Sequence, residues 1–210
     1  MSMSFEIFPT NKKIPKCDEI IKCSAQLFSE FMHREKILCG IKIMCSEVSI
    51  DNERNISPLF LTSKGDYHTV FRLNDDGEAY VYFHELTELD REFWNVEMKE
   101  NKNAQAIKEK IDTNFKVGYS WSVKRTMGQP AIVSLYYGYL AIAIAILTDG
   151  IIYSDDGAWD YSCFPLEGTD FKGRYLNIET ISDVTVKENI EKWLSDFKAL
   201  FVGKSDYNPK

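Results

Sequence analysis

The strongest constraint on the fold of this chain is an uncharged, mostly apolar run of 18 residues, Ala131 to Thr148. Pro130 precedes the run, and proline is favoured in the first turn of a helix. The run is nearly as long as a membrane span. However, Tyr136, Tyr137 and Tyr139 fall in its middle, whereas tyrosines of membrane helices prefer the interfaces. We therefore predict no contact with a membrane, and a helix near residues 130–148 that is buried in the core.

Length and charge limit the classes of protein to which the chain can belong. A chain of 210 residues buries about 70% of the surface of its unfolded form, so its folding requires neither a disulfide nor a metal ion. The net charge is −7, and binding to a nucleic-acid backbone needs a basic face, so we expect no nucleic-acid partner. The same charge suits a basic protein partner, although it also serves simply to keep a protein soluble.

The cysteines show neither a metal-binding nor a disulfide pattern. They are Cys17, Cys23, Cys39, Cys45 and Cys163, an odd number without a CxxC spacing. We expect free thiols in a reducing compartment. The first residues contain no apolar segment after a basic start, which predicts no signal peptide and a cytoplasmic protein.

Hydrophobic periodicity predicts a single α+β domain over residues 1–210, with a mostly antiparallel sheet and packed helices. A helix is predicted over residues 18–32, with Asp18 at its N-cap. The clearest hairpin runs through the turn Asn74-Asp75-Asp76-Gly77, whose glycine supplies a positive φ. The other predicted elements are two helical pieces between 88 and 115 and strands over 5–8, within 36–50, over 59–61, 119–124 and 151–153.

The last quarter of the chain is predicted to be a loop followed by an amphipathic helix. Prolines and glycines between 161 and 177 favour a loop. Thr185 and Glu188 have the spacing of a capping box, in which each side chain satisfies a free N–H. The apolar residues that follow recur at helical spacing as far as residue 201, and Gly203 is the predicted stop.

Acidic turns are the densest polar clusters and the predicted contact surface for a partner. Asp-Gly pairs occur at 76–77, 149–150 and 156–157, where plain turn chemistry is the competing explanation. Trp159 is a candidate interface anchor, with a place in the core as its alternative. The predicted partner-binding residues are Asp155, Asp156, Trp159, Asp160, Asp75, Asp76 and Glu78.

No pattern of catalytic or metal-ligating residues is present. His68 and His84 bracket the hairpin and are expected almost opposite each other as ordinary neighbours, and nothing near Cys163 presents it as a nucleophile. The acidic turns lack the alternating spacing of a calcium loop. We therefore predict no catalytic residue, metal ion or cofactor.

The segment from Trp121 to Trp159 resembles the immunity proteins of bacterial polymorphic and contact-dependent toxin systems. The residues that carry the resemblance are Ala141-Ile142-Ala143-Ile144-Ala145, Leu147-Thr148-Asp149-Gly150, Ile151-Ile152-Tyr153-Ser154 and Asp155-Asp156-Gly157-Ala158-Trp159. The resemblance implies an acidic, cytosolic α+β protein that binds and blocks one toxin domain. It carries over no binding residue.

The expected function is therefore stoichiometric inhibition of a protein partner, a toxin domain with a basic, nuclease-like surface. The mechanism would be steric and electrostatic occlusion without catalysis. One alternative is an enzyme or small-ligand binder with a pocket lined by Tyr80, Tyr82, Trp121 and Trp159. A second alternative is a structural adaptor, and the sequence predicts no particular oligomeric state.

Overall fold

Strand β1 (Ser2–Phe8) lies inside the sheet and pairs on both sides with strands that are far from it in the sequence. The computed structural model describes residues 2–37, 40–49, 60–62, 67–74 and 77–202. The other strands in these residues are β2 (Ile43–Ser49), β3 (Tyr67–Leu73), β4 (Gly77–Glu85), β5 (Tyr119–Thr126), β6 (Ile151–Tyr153) and β7 (Leu166–Glu167). Neighbouring strands are antiparallel, in the order β2-β3-β4-β5-β1-β6-β7.

Helices cover one face of this sheet and part of the other. They are α1 (Cys17–Arg34), α2 (Glu88–Glu100), α3 (Lys102–Ala106), α4 (Lys108–Val117), α5 (Ala131–Leu147), α6 (Gly168–Arg174) and α7 (Val184–Val202). The arrangement confirms the predicted α+β fold with an antiparallel sheet.

Helix α5 lies across one face of the sheet and is buried along nearly its whole length. It packs on β1, β4, β5 and β6, and α1, α6 and α7 surround its remaining sides. Its tyrosines stay buried because their hydroxyls find partners. The Tyr136 hydroxyl lies 2.6 Å from Ser24 Oγ, and the Tyr137 hydroxyl donates to the Ala158 carbonyl at 3.1 Å. The predicted core helix is confirmed. In the described part of the chain, no helix combines the length and apolarity needed to cross a membrane.

Helices α2, α3 and α4 lie on the opposite face of the sheet, over its β6 end. The ring of Trp94 is 5.1 Å from that of Phe8 and 5.5 Å from that of Tyr153, centroid to centroid. The predicted break between two helical pieces falls at Asn101, which ends α2 and whose side chain accepts two N–H groups of α3. A second break, at Ile107, separates α3 from α4.

The loop predicted over residues 161–177 is wrong, because the segment contains β7 and the seven-residue helix α6. Tertiary contacts override the loop composition here. Phe171 and Tyr175 are buried, and the Tyr175 hydroxyl donates to the Leu135 carbonyl of α5 at 3.1 Å. Gly168 allows α6 to approach α5, since a Cβ there would lie 2.8 Å from Ala145 Cβ.

Two helices begin at other residues than the sequence predicts. Helix α1 has Lys16 at its N-cap, and the Glu19 carboxylate accepts the Lys16 N–H at 2.9 Å, so Asp18 lies inside the first turn. Helix α7 begins before Thr185, and the Asp183 carboxylate accepts an N–H of its first turn at 3.0 Å. Asp18 is therefore not the N-cap residue, although its carboxylate does accept a free N–H of the first turn, that of Glu19, at 2.9 Å. The predicted capping role of Thr185 is wrong.

Among the described residues between 36 and 50, β2 is the only strand. Of the short strand predicted over 59–61, Phe60 makes an isolated bridge with Lys16, and residue 59 lies outside the described residues. Cys39 and Gly203 also lie outside them. Cys17, Cys23, Cys45 and Cys163 are free thiols.

Candidate functional site

The second face of the sheet carries a cluster of polar and aromatic side chains from β1 across to β2, beyond the region that α2 covers. Alternate residues of a strand share a face, and the register places Ser4 beside Lys124 and Lys124 beside Tyr80. Tyr80 and Lys124 are partly exposed. We call this surface the polar sheet face. Its residues are Ser4, Glu6, Ser46, His68, Arg72, Glu78, Tyr80, Tyr82, His84, Ser122 and Lys124.

Three rings stand side by side across the centre of the polar sheet face. The His68 and Tyr82 rings are stacked with centroids 5.0 Å apart, and the Tyr82 and His84 rings are stacked at 6.4 Å. The Lys124 ammonium lies 5.4 Å from the Tyr82 centroid, within the range of a cation–π interaction. The prediction that His68 and His84 lie opposite each other is wrong, because Tyr82 separates them.

The Ser122 hydroxyl connects Glu6 to His84 by hydrogen bonds. Ser122 Oγ donates to the Glu6 carboxylate and lies 2.9 Å from His84 Nε2. An ionised carboxylate only accepts hydrogen bonds, so His84 donates its Nε2–H to Ser122 when Glu6 is charged. Ser122 is 2% exposed and is therefore not an accessible nucleophile. The chain of three groups can pass a proton between Glu6 and His84.

Burial shifts the pKa values of Glu6 and His84, the two titratable groups that Ser122 connects. It raises the pKa of Glu6 above its usual 4.5, against the opposing effects of the Ser122 hydrogen bond and the Lys124 charge. It lowers the pKa of His84 below 6.5, and the nearby Lys124 adds to this effect while Asp90 opposes it. His84 is thus neutral at physiological pH, and the two groups differ less in pKa than they do in water.

Arg72 and Glu78 form an ion pair on the face. Arg72 Nε lies 2.6 Å from Glu78 Oε1, and Arg72 Nη1 donates to Ser46 Oγ at 3.0 Å. The Tyr80 hydroxyl donates to Glu78 Oε2 at 2.9 Å. Burial, followed by this hydrogen bond to Glu78, raises the pKa of Tyr80 to about 12. Glu78, a predicted contact residue, is therefore already engaged with Arg72 and Tyr80.

Asp155 and Asp156, two further predicted contact residues, occupy the turn after β6 and differ in role. Both are exposed. The Asp156 carboxylate accepts hydrogen bonds from the N–H and hydroxyl of Ser4, at 2.7 and 2.8 Å, and from the Ala158 N–H at 3.1 Å. It thus ties the turn to β1 where β6 ends. The structure brings Asp156 and Glu78 to the borders of the same polar sheet face, whereas Asp75 and Asp76 lie outside the described residues.

Trp159 is a core residue rather than an exposed anchor. It is 3% exposed, and its ring lies 4.8 Å from the Tyr175 ring and 5.8 Å from the Phe171 ring, centroid to centroid. Its predicted contact with a partner is not available in this fold, and the alternative place in the core is the correct one.

Asp160 is buried and holds two segments together instead of meeting a partner. Its carboxylate accepts the Ser162 N–H at 3.1 Å, the Ser182 N–H at 2.7 Å and the Asp183 N–H at 3.2 Å, as well as both serine hydroxyls. Burial alone would raise the pKa of Asp160, but these hydrogen bonds outweigh it and lower the pKa to about 2. Every lone pair of the carboxylate is in use.

The predicted aromatic pocket does not form. Tyr80 and Tyr82 lie on the polar sheet face, whereas Trp121 is fully buried beneath the other face and donates its Nε1–H to the Leu61 carbonyl at 2.9 Å. Trp159 lies beyond α5, so the four rings do not line one cavity. A half-open cavity of about 40 Å³ beside Asp149 and Glu167 has room for only a few water molecules. In the described residues, no three His, Cys, Asp or Glu side chains are grouped to hold a metal ion.

Comparisons of the chain with protein-family models, curated proteins and solved structures find no match.

Proposed function

We propose that the chain is an immunity-type protein that binds one basic toxin domain in the cytoplasm and blocks it by occlusion. The observation that carries this proposal is the polar sheet face, a partly exposed surface that groups Tyr80, Tyr82 and Arg72. Tyrosine and arginine are the residues that most often dominate binding energy in interfaces. The toxin class of the partner is supported by the resemblance of residues 121–159.

Electrostatics favour a basic partner. The chain has a net charge of −7, and Asp155 is exposed at the border of the polar sheet face. A positive partner surface would be drawn to this border at long range, and the aromatic centre would then supply the short-range contact. The catalytic cleft of a nuclease has such a surface, because it binds a polyanion.

The proposal is tested by co-expressing the chain with the product of the neighbouring reading frame and measuring growth and complex formation. We expect the wild type to protect the cells and to form a one-to-one complex. Tyr80→Ala with Tyr82→Ala should weaken the complex by roughly 30-fold for each residue that is a hot spot. Val184→Ala with Glu188→Ala, on the exposed side of α7, is the matched control. A wild type that neither protects nor binds contradicts the proposal.

The electrostatic part has a separate test in the charge reversal Asp155→Lys. Asp156 is left intact, because its hydrogen bonds to Ser4 hold the turn. We expect the variant to associate several-fold more slowly and with a weaker dependence on salt. Glu188→Lys makes the same charge change on α7. Equal association rates for the wild type and Asp155→Lys would remove Asp155 from the interface.

A further inference from the structure

Helix α2 exposes three large apolar side chains in a row. Leu89, Phe93 and Val96 are 75%, 36% and 52% exposed, and their spacing of four and three residues places them on one side of the helix. Trp94, which points the other way and is 1% exposed, attaches α2 to the sheet. We call the three residues the α2 stripe. An ordinary surface helix carries polar residues at such positions.

Acidic residues border the α2 stripe. The helix Glu88–Glu100 contains five acidic and two basic residues. On a helical projection Glu92 and Glu97 lie on the two sides of the stripe. Glu100 lies in line with the stripe, one turn beyond Val96. Of the two basic residues, Arg91 is turned away, with its guanidinium 4.5 Å from the Phe115 ring centroid on α4, whereas Lys99 lies beside Glu92 on one flank. Three acidic residues and one lysine thus border the stripe, which is an apolar surface with a predominantly negative rim.

Tyr161 widens this surface. Its side chain is 48% exposed, its ring is 6.2 Å from the Tyr153 ring, centroid to centroid, and Phe93 lies 5.2 Å from the same Tyr153 ring. The Tyr161 hydroxyl is 3.4 Å from Glu97 Oε1. An apolar centre with an aromatic neighbour and acidic edges is the complement of an amphipathic helix that carries lysine or arginine beside its apolar face.

We propose that the α2 stripe docks a basic amphipathic helix of the partner protein. This inference rests on the proposed function insofar as the docked helix belongs to the same partner. A second copy of the chain is a poorer occupant for two reasons. A twofold contact would place one acidic rim against the other, and three side chains cover far less than the ~800 Å² per subunit of a standard stable interface.

The probe for this surface is a fluorescein-labelled, 18-residue peptide of leucine and lysine with its leucines on one helical face. Fluorescence anisotropy at physiological salt measures its dissociation constant. We expect binding by the wild type, and at least tenfold weaker binding by Leu89→Ser with Val96→Ser. These two residues are chosen because Phe93 also contacts Trp94 and Tyr153. Val184→Ser, at an apolar residue that is 68% exposed on α7, is the matched control and should bind as the wild type does.

Two further peptides separate the docking of a helix from simple charge attraction. A peptide of the same composition with its leucines scattered around the helix should bind at least tenfold more weakly, and a leucine–glutamate peptide should not bind. Equal binding of the first two peptides, or equal binding by Leu89→Ser/Val96→Ser and the wild type, overturns the inference. So does a concentration-dependent dimer of the wild type, in sedimentation, that the double variant lacks.

The two proposals fail in different experiments. If the co-expressed partner binds normally to Leu89→Ser/Val96→Ser and loses affinity only for Tyr80→Ala/Tyr82→Ala, the α2 stripe is not part of the interface and the proposed function stands. If no partner binds the wild type, the proposed function fails.

Discussion

At the scale of single residues, Asp160 shows how a side chain that resembles a recognition group belongs to the fold. Its carboxylate joins the turn at Ser162 to the start of α7 at Ser182 and Asp183. Five donors converge on it, so the charged form is strongly preferred in the folded protein. Substitution of Asp160 would therefore change stability before it changed binding.

We predict that Asp160→Asn lowers the free energy of unfolding at pH 7 by roughly 2 kcal/mol. The pKa of Asp160 is about 2 in the folded protein and near 3.8 without the fold. The stabilisation is thus complete above pH 3.8 and is lost as the pH falls towards 2. Urea unfolding between pH 2 and 7 should show a smaller acid-induced loss in the variant. Asp155→Asn is the control, and a loss of stability equal to that of Asp160→Asn would contradict the assignment.

Glu6 has the opposite linkage between protonation and stability. Burial raises its pKa above 4.5 in the folded protein, so the fold favours the protonated form. The contribution of Glu6 to stability is greatest below pH 4.5 and is lost as the pH rises through the folded pKa.

We therefore predict that Glu6→Gln is more stable than the wild type at pH 7 and loses this advantage below pH 4.5. The glutamine carbonyl can still accept the Ser122 hydroxyl hydrogen bond. Urea unfolding at the two pH values measures the effect, with Glu188→Gln on α7 as the control. A variant that is less stable than the wild type at both pH values would show that the carboxylate charge itself is needed.

At the scale of elements, the fold depends on the close approach of α5 and α6. Gly138 on α5 faces the ring of Tyr175, which follows α6. A Cβ at Gly138 would lie 2.0 Å from Tyr175 Cζ, so the tyrosine ring would have to move. That movement would also strain its hydrogen bond to the Leu135 carbonyl.

We predict that Gly138→Ala lowers the free energy of unfolding by about 3 kcal/mol. Gly173 on α6 is the matched control, since a Cβ there meets no atom within 4 Å. Gly173→Ala should raise stability by about 0.5 kcal/mol, because alanine loses less conformational entropy in a helix. Thermal unfolding followed by circular dichroism compares the two, and equal effects would contradict the proposed packing.

Elements whose hydrophobic pattern extends over many consecutive residues could be predicted from the sequence. Elements that depend on contacts with distant residues could not. The pattern of α5 is complete within Ala131–Leu147, so its position and burial follow from the residues themselves. Helix α6 has only seven residues, and its stability comes from Phe171 and Tyr175 packing among distant aromatic rings.

The candidate site could be predicted only in part for the same reason. The alternation of Tyr80 and Tyr82 with apolar residues placed both tyrosines on one face of β4. The contact between Glu6 and Ser122 joins residues 116 positions apart, and it exists only because β1 enters the sheet beside β5. Nothing local to Glu6 predicts that neighbour, although a glutamate within the apolar run Phe5-Glu6-Ile7-Phe8 was a signal of an unusual environment.

At the scale of the whole molecule, strand β1 joins the two helical layers. On one side of it the Phe5 ring stacks on Tyr137 of α5 at 5.0 Å, and on the other side the Phe8 ring meets Trp94 of α2 at 5.1 Å, centroid to centroid. Loss of β1 from the sheet would therefore expose both layers at once.

We predict that the chain unfolds in a single cooperative transition. Tryptophan fluorescence, to which Trp94 and Trp159 contribute from the two layers, should have the same urea midpoint as far-ultraviolet circular dichroism. A fluorescence transition at lower urea, with most helical signal retained, would instead show that the layer of α2, α3 and α4 unfolds separately.

The burial of α5 has a consequence for folding of the protein during its synthesis on the ribosome. Its coverings α6 and α7 follow it in the chain and end at residues 174 and 202. At ~5–20 residues per second, a ribosome needs roughly 3 to 11 s to pass from the end of α5 to the end of α7. During that interval an emerging chain holds 17 uncharged residues without their final cover. Chaperone demand should therefore be highest while residues 148–202 are being synthesised, and premature stops within that stretch should yield aggregates rather than shortened functional protein.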